Sequence, residues 1–255
     1  MSGQRMPAAN ETRYLSTLQM MRAEVQLRDF QRWMGIRRLQ DPDHATHSLL
    51  TECFGDLAPK PFRLITPRHG TKGVLYGYGT ANSTALREQT RICADPLQIR
   101  VIPADRIDTK PMPTAWRSGQ RIGFETRIRP VVRQSRRGAN PKAGERDVFV
   151  VEADQHPPDG MNRSREAVYT DWLGNQLERL GGARLDPEQT KLVSFRRKHA
   201  IYQLRGPSSE GPEAIMRGVI TITHSDSFAH LLARGVGRHR AYGYGMLLLR
   251  PQRRR

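Results

Sequence analysis

The order of apolar segments along the chain constrains its fold most strongly, because the same order occurs twice. The first half predicts strand, helix, strand, strand, helix and strand at residues 13–27, 41–56, 61–67, 73–79, 82–94 and 96–103. The second half predicts the same order at residues 120–133, 162–182, 191–204, 214–223, 226–235 and 242–250. An additional short helix, rich in arginine, is expected over 29–40.

Each half therefore predicts a βαββαβ unit, in which two helices pack on one face of a four-stranded sheet. We expect an α+β protein with two tandem ferredoxin-like domains, a topology shared with RRM domains, plus a basic loop and the arginine-rich helical insertion. A proline-containing segment without clear periodicity separates the two units. The predicted limits are 1–104 for the N-terminal domain, 105–119 for a linker and 120–255 for the C-terminal domain.

The strand predicted over 120–133 alternates well. Apolar Ile122, Phe124 and Ile128 share one face, whereas Arg127 and Arg129 lie off that face.

The charge balance indicates the class of partner. The 255 residues include 42 Lys and Arg but only 25 Asp and Glu, which gives a formal net charge of +17. Such a surface displaces counterions from phosphates, so nucleic acid is the expected partner. Arginine accounts for 36 of the 42 basic residues, and its planar fork suits phosphates and base edges. A GC-rich genome favours arginine codons and would explain the excess of arginine over lysine, but it would not explain the net charge.

Several other classes are disfavoured. No window approaches 18 consecutive apolar residues, and the first residues lack the apolar core of a signal peptide. Two cysteines are too few for a disulfide scaffold or a Cys-based zinc site, and no metal-binding motif is present. We therefore expect a reduced, cytoplasmic protein that contacts no membrane and uses no metal or cofactor.

The basic residues concentrate in separated tracts, which suits an extended polymer better than a compact anion. Any one tract alone is as typical of a solvated surface as of a nucleic-acid-binding site. The tracts are the helix over 29–40 with the residues just before it, a Gly-, Pro- and Asn-rich loop around 134–146, and a glycine-rich segment over 234–246. With an arginine pair in a predicted strand, they predict RNA contacts from Arg28, Arg32, Arg133, Arg136, Arg137, Lys142, Arg146, Arg196, Arg197, Arg234, Gly235, Gly237, Arg238, His239 and Arg240.

The segment RGVGRHRAYGYGM over 234–246 joins the last predicted helix to the last strand. Its glycines permit positive φ and the close approach of a ligand, and its cations could hold a phosphodiester together with backbone N–H groups. The alternative is a tight turn that needs glycine for its own backbone. The segment is neither a Walker A loop nor a dinucleotide-binding fingerprint, because it lacks G-K-[ST] and precedes a strand.

This segment, extended to GVGRHRAYGYGMLLLRP, resembles the C-terminal motif of the RAMP superfamily of CRISPR proteins. The stretches DHATHSLLTECFGDLAPKPFRL, KPMPTAWRSGQRIGFETRIRPVVR, SREAVYTDWLGNQLERLGGARL and VSFRR resemble, more narrowly, the CasE-type endoribonucleases that cut CRISPR precursor RNA. The type IV CRISPR relatives of these nucleases are an equally good match, and the arginine-rich helix favours them. The resemblance covers 14–251 and implies tandem ferredoxin-like folds, binding of a repeat hairpin and metal-independent cleavage.

Cleavage of RNA can use its own 2′-OH as the nucleophile, which requires a base, an acid and cations for the phosphorane but no metal. Imidazole titrates near neutrality and can serve as base or acid. His44 and His47 are spaced to share one helix face, although either could instead pack or cap. The resemblance implies that His47, by its spacing to Phe54, is the catalytic histidine. The family often has tyrosine where this chain has His44.

Arginines provide a rival interpretation of the same site. Arg22, Arg37 and Arg38 flank the predicted helix over 41–56 and could stabilise the pentacoordinate phosphate without proton transfer, with Arg38 preferred. Arginine stays protonated and is a poor base, so such a site would be slow and weakly pH-dependent.

The combined expectation is an endoribonuclease that cuts the CRISPR repeat and leaves a 2′,3′-cyclic phosphate and a 5′-OH. We expect it to retain the crRNA hairpin for assembly with other subunits of a CRISPR effector complex. One alternative is an RNA-binding RAMP subunit without catalysis. Another is a general packaging protein, which would bind unrelated duplexes with equal affinity.

Overall fold

The computed structural model describes residues 18–134, 144–157, 160–200 and 209–251. These residues form two four-stranded sheets, a two-stranded hairpin and seven α-helices. Within them, each helix is too short or too polar to cross a membrane. Three of the predicted RNA contacts lie outside the described residues: Arg136, Arg137 and Lys142.

The first sheet is formed by β1 (Gln19–Gln26), β2 (Phe62–Ile65), β3 (Lys72–Gly79) and β4 (Ile107–Pro111). Its order is β2-β3-β1-β4, and all of its strand pairs are antiparallel. The helices of this half are α1 (Leu27–Ile36), α2 (Pro42–Phe54), α3 (Ser83–Cys93) and α4 (Pro96–Val101). Because α2 connects β1 to β2 and α3 lies between β3 and β4, the topology is βαββαβ.

The second half repeats this arrangement around an inserted hairpin. Its strands are β5 (Arg121–Ile128), the hairpin strands β6 (Val131–Gln134) and β7 (Gly144–Asp147), then β8 (Ala183–Ala200), β9 (Ser209–Ile222) and β10 (Leu247–Arg250). Its helices are α5 (Val148–Ala153), α6 (Arg165–Leu180) and α7 (Ser225–Arg234). The main sheet is antiparallel in the order β10-β5-β9-β8, which confirms the α+β class and the tandem ferredoxin-like folds.

The first sheet is covered on both faces. Alternation along β1 sends Met21, Ala23 and Val25 to the core shared with α2 and α3. Tyr78 on β3 lies on the opposite face and belongs to the core of the second domain. Its hydroxyl donates a hydrogen bond to the carbonyl oxygen of Leu247, at 2.9 Å. The two domains therefore share apolar and polar contacts across the first sheet.

The strand predicted over 96–103 is wrong, because Pro96–Val101 form α4. Asp95 accepts hydrogen bonds from two N–H groups of the first turn, and the Gln98 side chain accepts one from the Asp95 N–H at 2.8 Å. This capping box, with proline at the first helical position, stabilises a helix where the apolar pattern alone favours a strand. The strand that completes the sheet is β4, which lies within the predicted linker. We propose that the connection between the domains begins after Pro111.

The strand predicted over 120–133 is interrupted. β5 ends at Ile128 and β6 begins at Val131, on either side of Pro130, which has no N–H to donate to a ladder. Arg127 and Arg129, predicted to lie off the apolar face, are nevertheless buried, with 8% and 1% of their surface exposed.

Candidate functional site

Helix α2 presents the two candidate histidines. Asp41 begins the helix by accepting a hydrogen bond from the N–H of Asp43, at 2.8 Å, and Gly55 ends it with φ at +53°. His44 and His47 lie three residues apart on one face of the helix, where both side chains are half-buried.

The glycine-rich loop between α7 and β10 reaches this face through Tyr242. The ring of Tyr242 is edge-on to both imidazoles, with its centroid 5.4 Å from that of His47 and 6.1 Å from that of His44. Tyr242 ends a short 3-10 helix, Arg240–Tyr242, within the loop. Two segments far apart in the chain, each predicted separately to function, thus meet in one place.

The surroundings of His47 favour its neutral form. Partial burial lowers the pKa of His47, and the positive charges of His44 and Lys60 lower it further. Lys60 is exposed and follows Pro59 after the end of α2. A neutral imidazole beside an ammonium group can accept a proton while the ammonium faces an anion.

Four glycines with positive φ shape the loop: Gly235, Gly237, Gly243 and Gly245. A Cβ on Gly245 would lie 2.1 Å from the carbonyl oxygen of Val236, and a Cβ on Gly237 would lie 2.8 Å from the indole of Trp172. The Val236 N–H donates to the Gly245 carbonyl at 2.8 Å, which closes the loop on itself. The tight turn therefore requires glycine at these positions for its own backbone. Contacts of Gly235 and Gly237 with RNA stay a prediction.

Glu145 on β7 attaches the β6–β7 hairpin to the loop. Its carboxylate oxygens lie 2.5 Å from Nε2 of His239 and 2.7 Å from Nε of Arg238. The hydrogen bond with His239 lowers the pKa of Glu145, so the carboxylate stays ionised between these groups. The neighbouring Arg146 pairs with Asp154 at 2.5 Å. The strand that follows the predicted basic loop is therefore anchored beside the glycine-rich loop.

A buried arginine connects α2 with the same loop. Arg127 on β5 donates two hydrogen bonds of 2.8 Å to the carboxylate of Asp43, in the first turn of α2. Its guanidinium also pairs with Glu213 on β9 and lies 4.3 Å from the ring centroid of Tyr244, in the loop. Lys198 on β8 is a second cation on Asp43. Burial by itself lowers the pKa of Arg127 and raises that of Asp43, but the opposite charges reverse both shifts, so both groups stay charged.

Further predicted contacts lie beside this network. Arg196 on β8 is 2.6 Å from Glu213 and leaves 62% of its side chain exposed. Arg197, with Arg146, lines a groove of about 200 Å³ between β7, β8 and β9. In the loop, Arg240 donates to the carbonyl of Arg234 at 2.9 Å. We refer to these residues and Arg238 as the basic surface, in which Arg196 and Arg197 alternate along β8 and lie on opposite faces of its sheet: Arg146, Arg196, Arg197, Arg234, Arg238 and Arg240.

The arginine-rich helix occupies another part of the first domain. α1 packs against α4, and Arg28 and Arg32 are exposed on it. Arg37 is 2.7 Å from Glu52 on α2. Because Glu52 follows His47 by five residues, it lies about 140° around the helix, on a different face.

The remaining predicted residues are also dispersed. Arg22 is exposed on β1 between Met21 and Ala23, so it lies on the sheet face opposite α2. Arg38 is exposed in the turn before α2 with φ at +55°, and within the described part of the chain its guanidinium has no acidic partner. Arg133 is exposed on β6.

Three residues of the site were missed by the sequence analysis. Tyr242 stands in the glycine-rich segment, where an aromatic residue among glycines and arginines is a usable signal for a contact. Lys60 has a weaker signal, the two prolines that flank it. Arg127 has none, because its partner Asp43 lies 84 positions earlier in the chain.

Comparison with protein families gives one match over nearly the whole chain. The model described as CRISPR associated protein matches residues 14–251. The chain belongs to this CRISPR-associated family. No curated protein sequence matches it.

Solved structures of CRISPR proteins share the fold. Thermus thermophilus Cse3, bound to an RNA representing a pre-cleavage complex, superposes with a TM-score of 0.61 at 18% identity, covering 91% of this chain and 100% of the other. Cas6e from Escherichia coli K-12 gives a TM-score of 0.51 at 17% identity, with 92% and 100% covered. A chain of a CRISPR RNA-guided surveillance complex gives 0.54 at 14% identity, with 91% and 100% covered. The family member described here therefore has the fold of the CasE-type proteins that its sequence resembles.

Proposed function

We propose that this chain is an endoribonuclease that cleaves CRISPR precursor RNA within the repeat. Family membership and the likeness to an RNA-bound Cse3 support the substrate class. The observation that carries the proposal is the contact between α2 and the glycine-rich loop, where the rings of His47 and Tyr242 are 5.4 Å apart. The same loop carries Arg234, Arg238 and Arg240. A titratable base next to phosphate-binding cations is what 2′-OH attack requires.

In the proposed reaction, the 2′-oxygen forms a bond to the adjacent phosphorus and the bond from phosphorus to the 5′-oxygen breaks. His47 accepts the proton of the 2′-OH, for which its lowered pKa keeps the imidazole neutral near pH 7. The ammonium of Lys60 faces the charge that develops on the phosphorane. We assign the proton of the leaving 5′-oxygen to His44, which shares the Tyr242 contact. The products carry a 2′,3′-cyclic phosphate and a 5′-OH.

Arginine catalysis is the competing mechanism for the same activity. Arg38 is the strongest member, because it is exposed in the turn before α2 and lacks an acidic partner among the described residues. Arg37 is less suited, since Glu52 neutralises it, and Arg22 is on the opposite face of the first sheet. Arg38→Ala distinguishes arginine catalysis from histidine catalysis, because it removes the arginine and leaves His47 in place to transfer the proton.

The basic surface would bind the repeat hairpin. A-form RNA is recognised mainly through shape and phosphate contacts, which suits arginines on two strands and a loop. A formal net charge of +17 slows release of a polyanion, so we expect the mature crRNA to stay bound. Retention would deliver the crRNA to the other subunits of an effector complex, the setting in which the surveillance-complex relative was solved.

The test is incubation of the purified protein with a transcript of its own repeat in EDTA, followed by mapping of the product ends. We expect one cut within the repeat, and His47→Ala should slow it by at least about a hundredfold. His156→Ala, which changes an exposed histidine after α5, is the matched control and should cleave as the wild type does.

Three outcomes would contradict the proposal. Cleavage only after a divalent metal is added would exclude this mechanism. Specific binding of the repeat without cleavage would identify a non-catalytic RNA-binding subunit. Equal affinity for unrelated duplexes would instead identify a packaging protein.

A further inference from the structure

We propose that Arg127 is a positioning residue that sets the approach of the glycine-rich loop to the histidines of α2. This inference rests on the proposed function, since the contact it controls is the proposed cleavage site. In this role Arg127 acts through its contacts with Asp43 and Tyr244.

The geometry of Arg127 is suited to fixing a distance. Both terminal nitrogens bind the Asp43 carboxylate, each at 2.8 Å, so the carboxylate is held in one orientation. The guanidinium also lies 4.3 Å from the ring centroid of Tyr244, whose hydroxyl donates to Glu213 at 3.0 Å. With only 8% of Arg127 exposed, solvent screens these contacts little.

Both ends of this connection lead directly to the candidate site. Asp43 immediately precedes His44 in the first turn of α2. Tyr244 follows Tyr242 by two residues, with Gly243 between them. A Cβ on Gly243 would lie 3.4 Å from the Arg127 guanidinium, so the loop passes directly over the arginine. A shift of Arg127 therefore moves the loop relative to the helix.

The domain interface contains a second buried ion pair, which provides an internal control. Arg63 on β2 is 2.8 Å from Glu125 on β5, and each side chain is 6% exposed. The other partners of Glu125 are Arg217 on β9 and Arg250 on β10, each at 2.7 Å. This pair joins the same two domains through their sheets, whereas Arg127 joins them through α2 and the loop.

The experiment compares Asp43→Asn with Glu125→Gln, two neutral replacements of similar shape. Single-turnover cleavage with enzyme in excess separates the maximal rate from RNA affinity. We expect Asp43→Asn to lower the maximal rate by at least about tenfold. Its Kd for repeat RNA should stay within about twofold of wild type, and Glu125→Gln should change both quantities by less than about twofold.

Arg127→Lys is a second variant in case Asp43→Asn does not fold. Lysine keeps the charge but loses the planar fork that binds both carboxylate oxygens. We expect this variant also to lose maximal rate while keeping its affinity for the repeat.

A readout that needs no cleavage is the NMR contact between the ring protons of Tyr242 and His47. It should be present in the wild type and in Glu125→Gln, and lost or weakened in Asp43→Asn and Arg127→Lys. Equal rate losses in Asp43→Asn and Glu125→Gln, or an unchanged ring contact in both Asp43→Asn and Arg127→Lys, would overturn the inference. A wild type that does not cleave would contradict the proposed function alone, because the ring contact still tests the role of Arg127.

Discussion

Tyr242 packs edge-on against His47, with 5.4 Å between the ring centroids, although the two residues belong to different domains. The contact joins a loop whose backbone is shaped by glycines to a helix whose first turn is held by Asp41 and Asp43. It places the cations of the loop near His47, whose pKa is lowered by its surroundings.

Removal of the Tyr242 ring should slow cleavage. An edge-to-face aromatic pair contributes about 0.5–1.5 kcal/mol, so Tyr242→Ala should lower the single-turnover rate by up to about tenfold. Tyr242→Phe keeps the ring and should retain most of the rate. A Phe variant as slow as the Ala variant would show that the hydroxyl, rather than the ring, is needed.

Within the acidic range, cleavage should accelerate as pH rises and the His47 imidazole loses its proton. The sign follows from the base role, because His47 accepts a proton only when neutral, and its pKa is lowered from 6.5 by burial and by the charges of His44 and Lys60. Lys60→Ala removes one of these charges and should move the rising limb to higher pH.

Single-turnover rates measured between pH 5 and 9 test this profile. His156→Ala, at an exposed position, serves as the unchanged control. A flat profile would favour catalysis by Arg38, and a rate that falls as pH rises within the acidic range would make His47 an acid.

Gly245→Ala should destabilise the protein more than Gly119→Ala. Both glycines have φ at +79°, so both variants incur the left-handed strain of about 1–2 kcal/mol. Only at Gly245 would the new Cβ also clash, at 2.1 Å from the Val236 carbonyl oxygen, whereas nothing lies within 4 Å of it at Gly119. Free energies of unfolding from chemical denaturation measure the difference. Equal losses would mean that the loop relaxes without its Val236 contact.

Arg238→Ala should weaken RNA binding uniformly and reduce its dependence on salt. If Arg238 contacts a phosphate, the slope of log K against log salt should fall by about 0.7–0.9. Arg121→Ala is the matched control, since Arg121 is an exposed arginine on β5 paired with Asp186 at 2.6 Å. An unchanged slope for Arg238→Ala would place its guanidinium away from the RNA backbone.

Local signals predicted much of the fold. The helix expected over 41–56 is α2, Pro42–Phe54, because the Asp41 cap and the terminal Gly55 are both visible in the sequence. The strand prediction for 96–103 was wrong because an apolar run of that length is compatible with either a strand or a buried helix. The capping box of Asp95 and Gln98 stabilises the helix.

Long-range contacts limited the prediction of the site. The glycine-rich segment and the histidines of α2 were each found, but nothing local indicates that Tyr242 bridges them. Arg127 lies outside the apolar pattern of its strand, yet it is buried because Asp43 and Glu213 neutralise it from other elements. A single sequence contains no signal for such a pairing.

The most direct measurement is the structure of the protein bound to its own repeat RNA, with a 2′-deoxy substitution at the nucleotide on the 5′ side of the mapped cut. We predict that C2′ of this sugar lies about 4 Å from the nearer imidazole nitrogen of His47, which would bring the missing 2′-oxygen of the natural nucleotide within hydrogen-bond reach. The flanking phosphates should lie against Arg238 and Arg240. A scissile phosphate remote from both α2 and the glycine-rich loop would contradict the proposed site.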